Sequence, residues 1–204
     1  MILAIDTASA ACTAALFDGS GACVGRSDEV IGRGHAERLV PMLAELLDGR
    51  RASQVLVGVG PGSFTGIRVG IAAAHGLAIG WDAELAGFSS LALLALAAPG
   101  DGEVAAAMRG GHGELFVQQF DRTPELVPAG DLRNLAPIDA AAAITAPLVI
   151  GSGAAELVAA RGHGEAVDAL ASAAEVLRLP AAMRNLFPRP LYARAPDARA
   201  REAA

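Results

Sequence analysis

Lysine is missing from all 204 residues, and each of the 16 basic side chains is arginine. That absence excludes the phosphate-binding lysine of a P-loop, Schiff-base chemistry and a lysine general base. Cysteine is scarce as well. Cys12 and Cys23 stand too far apart for a metal-binding pair, and no C-x-x-C occurs, so both read as reduced, buried thiols. The four histidines (35, 75, 112 and 163) show no i,i+3 or i,i+4 pairing, which leaves no readable metal site. No charge-free apolar run approaches the roughly 20 residues needed to cross a bilayer. The opening Met1-Ile2-Leu3-Ala4-Ile5-Asp6 has no basic n-region and no cleavage site, so a cytoplasmic protein without membrane contact is expected. Net charge is −6. A chain this acidic makes a poor stand-alone nucleic-acid binder, and any RNA contact is expected mainly through a partner. A local basic patch can still hide inside an acidic total.

Apolar residues are plentiful at 53%, and alanine supplies much of that share, so helices can approach one another closely. Three short strands are expected first: 2–7, 13–18 and 22–27. An amphipathic helix follows at 38–48, a buried strand at 55–59, a helix at 65–79, a strand at 85–88 and a helix at 89–97. Pro99-Gly100-Asp101-Gly102 is the clearest break. It divides the expected architecture into 1–98 and a smaller unit, 103–204. Beyond it come paired strands at 104–108 and 114–120, a helix from Ile138, a strand at 148–150 and a helix at 154–160. The order β-β-β-α-β-α-β-α, then an abbreviated copy, indicates a duplicated α/β fold.

The most specific segment is Gly60-Pro61-Gly62-Ser63-Phe64-Thr65-Gly66-Ile67-Arg68-Val69-Gly70. Its glycines open backbone angles closed to other residues and expose N–H groups at a helix start. Such a loop either holds an anion or makes a tight strand-to-helix turn against a neighbouring backbone. It is neither G-x-G-x-x-G nor a Walker loop. Together with Ile5-Asp6-Thr7, His35-Ala36-Glu37, Gly87-Phe88-Ser89-Ser90-Leu91, Arg109-x-x-x-x-Glu114, Gly151-Ser152-Gly153 and Pro190-Leu191-Tyr192, it resembles the TsaB (older name YeaZ) family.

The resemblance implies an actin-like (ASKHA, ribonuclease H-like) fold. It also implies a non-catalytic subunit that dimerises with TsaD and, with the ATPase TsaE, supports threonylcarbamoyl transfer to adenosine 37 of tRNAs reading ANN codons. No cofactor is expected. In actin-like kinases an Asp after strand one sits near metal and a glycine-bearing phosphate loop. Here Asp6-Thr7-Ala8-Ser9-Ala10-Ala11 has no glycine. Asp6, Gly60, Gly62 and Ser63 remain the candidates for binding a nucleotide. The catalytic TsaD relatives carry a metal-binding histidine pair where this chain has Ser90 and Leu94, and leucine cannot ligate a metal. None of Ser63, Ser89 or Ser152 lies in G-x-S-x-G. The rival reading is a small ATP-dependent kinase or a metallopeptidase of the same fold.

The 65–79 helix is apolar nearly all round, interrupted only by Arg68 and His75. Gly66, Gly70, Ala74 and Ala78 form a small-residue stripe at i,i+4 spacing. One layer of a small α/β unit covers a single side of such a helix, so the remainder calls for another chain. TsaB-like proteins meet TsaD through this helix pair. The expected interface is therefore Leu39, Leu43 and Leu46 on the first helix with Ile67, Gly70, Ile71, Ala74, His75 and Ala78 on the second. The isolated chain is expected to homodimerise through the same surface.

Overall fold

A computed structural model describes residues 1–192; the last twelve residues of the expected second unit lie outside it. The first sheet begins with β1 (Ile2–Asp6), β2 (Ala11–Phe17) and β3 (Cys23–Val30), paired antiparallel in sequence order. β1 and β2 are buried throughout apart from Ile2, which matches their unbroken apolar sequence. Along β3 exposed and half-buried residues alternate. Helix α1 (His35–Leu47) then leads to β4 (Gln54–Gly58), and α2 (Phe64–Trp81) to β5 (Glu84–Phe88). Both strands add parallel to β1, giving the order β3-β2-β1-β4-β5. A short α3 (Ser90–Ala95) carries the chain to the second sheet.

That sheet repeats the plan. β6 (Val104–Arg109) is central, and β7 (Leu115–Asp121) is antiparallel to it. The third strand is split into β8 (Val127–Pro128) and β9 (Arg133–Leu135), both on β7. After α4 (Pro137–Ala143), β10 (Leu148–Ile150) lies parallel to β6. After α5 (Ala154–Arg161), β11 (Glu165–Val167) lies parallel to β10. The order β11-β10-β6-β7-β8 mirrors the first sheet strand for strand, so the duplicated actin-like fold is present. A 3₁₀ helix (Ala173–Arg178) and α6 (Ala181–Arg184) complete the described chain.

Alternation along β6 shows where the core lies. Val104, Ala106 and Met108 join one apolar cluster with Leu3, Ile5, Phe88 and Leu94 of the first half. Ala105 and Ala107 face the other way, onto a smaller cluster with Ala140, Val149 and Leu157. The 3₁₀ helix returns to the first sheet, where Ala173 N donates to Thr13 Oγ1 (3.1 Å) and Ser172 Oγ to the Asp28 carboxylate (2.8 Å). Gly87 and Leu186 exchange backbone hydrogen bonds, and Leu191 N donates to Val59 O (2.8 Å). Residues 186–191 thereby strap the β5 edge, which would otherwise offer unpaired backbone. Among the described residues no helix is long and apolar enough to cross a membrane. Cys12 is buried, and burial pushes its thiol up to about 11. Cys23, expected to be buried, is exposed, because it opens the edge strand β3.

Candidate functional site

Asp6 ends β1 and is fully enclosed. Its Oδ1 accepts from Ala8 N (2.9 Å) and its Oδ2 from Ser90 Oγ (2.6 Å). Burial pushes its carboxyl above the usual range, against the opposing pull of Ser90, the Ala8 N–H and nearby His35. Gly58 sits where any Cβ would run into this carboxylate. The cavity between the sheets, lined by Asp6, Ser9, Ser90 and Ser152 among others, measures about 10 Å³. That is room for at most one water.

The glycine loop is a turn pressed against backbone. Ser63 N donates to Ala8 O (2.7 Å), and Ser63 Oγ accepts from Gly66 N (3.2 Å). Thr7 Oγ1 donates to Gly66 O (2.7 Å). A Cβ at Gly62 would strike the Ala8 carbonyl, one at Gly66 the Thr7 carbonyl, and one at Gly70 the Thr7 hydroxyl. Of the sequence candidates for a nucleotide, only Asp6 lines the cavity; Gly60, Gly62 and Ser63 do not. Ser90 is bound to Asp6, and Leu94 is buried beside the cavity. Ser89 Oγ accepts from Ala92 N (3.2 Å) and Ser152 Oγ from Arg109 N (3.1 Å), so both hydroxyls hold backbone. His35 is buried, with Nε2 3.3 Å from Ala11 O.

Leu39, Leu43, Ile67, Gly70, Ile71, Ala74 and Ala78 of the expected interface are all buried inside this chain, so they offer little surface to a partner. The stripe Gly66-Gly70-Ala74-Ala78 faces the chain's own sheet, because only glycine at 66 and 70 lets α2 lie on Thr7. Leu46 is half-buried, and His75 is exposed with Nε2 3.3 Å from Pro188 O.

A second stripe faces outward. Ala72, Gly76 and Gly80 are exposed at the same i,i+4 spacing, and a Cβ at either glycine would meet nothing within 4 Å. Ile79 beside them is 81% exposed, and Val40 on α1 is 64% exposed. Val69, Ala73 and Leu77, half-buried, form the flank of α2 between its inward and outward faces. At the start of α2, Phe64 stacks on Tyr192 (centroids 5.8 Å apart), and the Arg68 guanidinium lies 3.6 Å from the Phe64 ring centre. The interface expected from sequence does not include Val40, Phe64, Ala72, Gly76, Ile79 or Gly80. The signal for the glycines was available, since exposed glycine inside a helix has no propensity reason to persist.

Residues 26–131 match the family model described as TsaD: tRNA N6-adenosine threonylcarbamoyltransferase. The Escherichia coli (strain K12) tRNA threonylcarbamoyladenosine biosynthesis protein TsaB is 38% identical over 130 residues, covering 59% of this chain and 55% of that protein. Its Haemophilus influenzae namesake is 41% identical over 103 residues, covering 48% and 42%. The chain spans about half the length of these curated relatives. Among solved structures, YeaZ from Pseudomonas aeruginosa superposes with a TM-score of 0.77 at 29% identity, covering 94% of this chain and 98% of that one. A Pseudomonas aeruginosa protein described as similar to peptidase YEAZ gives 0.79 at 28% identity, with 95% and 99% covered.

Proposed function

We infer the role from kinship: this chain belongs to the TsaB (YeaZ) family, within the group that the TsaD model describes. It acts in the cytoplasm in tRNA threonylcarbamoyladenosine biosynthesis, as a non-catalytic subunit that docks on TsaD and works with the ATPase TsaE. The outward face of α2, flanked by Val40 of α1, is the docking surface. One observation carries this reading: Gly76 and Gly80 stand exposed within an 18-residue helix, and no contact inside the chain requires either. Each weakens the helix by about 1 kcal/mol relative to alanine. Small residues on an exposed face let a second helix approach to backbone contact, and the neighbouring Ile79 supplies apolar area. The water-sized cavity at Asp6 and the serines engaged in capping support a scaffold over a kinase or a peptidase. Alone, the chain pairs with a second copy through the same face, about a two-fold axis.

Arginine at the two small-residue stripes separates docking from folding. Gly76→Arg should abolish binding to the cognate TsaD, followed by sedimentation, while its melting curve stays that of the wild type. Burying an unpaired charge costs several kcal/mol, which takes a micromolar complex beyond detection. Gly70→Arg should instead unfold the chain, since that position lies against Thr7. A folded Gly76→Arg that still binds TsaD at wild-type strength removes this face from the interface.

A further inference from the structure

Beside the docking helix runs a strip in which aromatic rings and arginines are exposed together. The chain has eight aromatic residues, and three of them, Phe64 (57% exposed), Phe187 (80%) and Tyr192 (50%), project from α2 and the strap of residues 186–192. The Arg68 guanidinium lies over Phe64, 3.6 Å from its centre, and 5.8 Å from the centre of Tyr192; its Nε donates to the Tyr192 hydroxyl (2.9 Å). At the other end Arg189 lies 5.6 Å from the centre of Phe187. The contact between His75 and Pro188 O fixes the strap along α2, so the strip is about 16 Å long by helical rise. Among the described residues neither Arg68 nor Arg189 pairs with a carboxylate.

We propose that this strip binds single-stranded RNA, with Tyr192 and Phe187 stacking on bases, Phe64 backing Tyr192 and Arg68, and Arg68 and Arg189 meeting phosphates. The choice of RNA rests on the proposed role in tRNA modification, but the chemistry is in the surface itself. Guanidiniums stacked on rings, with donors left free, suit planar bases alternating with anionic phosphates. An acidic peptide would satisfy the two arginines and leave the exposed rings of Tyr192 and Phe187 uncovered. A net charge of −6 keeps the affinity of the isolated chain low and strongly dependent on salt.

Fluorescence anisotropy of a labelled single-stranded oligouridine, titrated with the full chain in low salt, tests the proposal. The wild type should bind. Arg68→Gln combined with Arg189→Gln should weaken binding about tenfold or more, and should lower the slope of log K against log salt by roughly 0.7 per arginine. Phe187→Ser, at the most exposed ring, should weaken binding roughly tenfold without touching the core. A wild type that ignores RNA overturns the proposal. So do variants that bind like the wild type, or polyglutamate competing as well as RNA of equal length, which would mark the strip as a protein contact. Gly76→Arg should bind the RNA at least as well as the wild type while losing TsaD. Loss of RNA binding alone then sinks this proposal, and retention of TsaD by Gly76→Arg sinks only the docking reading.

Discussion

At Asp6 the chain holds an acid where water is nearly excluded, and two donors keep it in place. Burial raises its folded-state pKa above the ordinary value. Its contribution to stability is therefore complete below the unfolded pKa and is lost as pH climbs through the raised folded one. Asp6→Asn keeps an acceptor for Ala8 N–H and can donate to Ser90 Oγ. Its stability relative to wild type should rise from acidic to neutral pH, as urea unfolding at several pH values would show; a gap independent of pH would mean that Asp6 titrates normally. Asp6→Ala leaves both donors unpaired and should cost roughly 1–3 kcal/mol at acidic pH, with the gap narrowing as pH climbs through the raised pKa. Several arginines likewise satisfy backbone carbonyls at turns and element ends. The Arg122 guanidinium donates to the carbonyls of Ala98, Pro99 and Gly102, and Arg161 to those of Ile144 and Ala146. A lysine nitrogen, one point charge on a flexible stem, does not span three carbonyls. The absence of lysine thus has a structural counterpart as well as a chemical one.

Among elements, α2 shows both what the sequence reveals and what it hides. Its existence was plain from 65–79, and the helix runs Phe64–Trp81. Its rotation was not legible. A helix apolar all round has no preferred phase, and two small-residue stripes of equal spacing compete for the sheet. Thr7 decided between them, and Thr7 is 59 residues from Gly66 in sequence. The docking set drawn from pattern alone was therefore mostly core, with only Leu46 and His75 left partly or fully exposed. β1, β4 and β10 were readable because continuous apolar runs mark doubly covered strands. β8, β9 and β11 have two or three residues each, too few for any period to register. The open space around Gly76 and Gly80 leads to a sharp expectation. Gly76→Ala with Gly80→Ala should stabilise the isolated chain by about 1 kcal/mol per site, raising Tm by roughly 2–4 °C each. A calorimetric Tm unchanged or lowered would mean these positions hold something the chain needs for folding.

For the whole molecule, the two sheets have the same strand order and share the larger of two apolar clusters, the smaller lying on the far face of β6. One apolar cluster runs from Leu3 through Leu94 to Met108 and Ile150, and the segment after β11 returns to pack on β1, β2 and β3. The break at Pro99–Gly102, so visible in the sequence, is a crossing between sheets that share packing. Unfolding should accordingly be a single transition, with the fluorescence of Trp81 and the far-UV circular dichroism melting together. Two separated midpoints would mean that the lobes 1–98 and 103–204 unfold independently. The filled space between the sheets also bears on time. With only about 10 Å³ open between them, the sheets leave no cleft to close on binding. For the docking proposed above, the α2 face is already formed in the isolated chain, so binding should be a single diffusional step without a slow conformational phase. Variants of that face should then differ in how long the proposed partners stay together, not in how soon they meet.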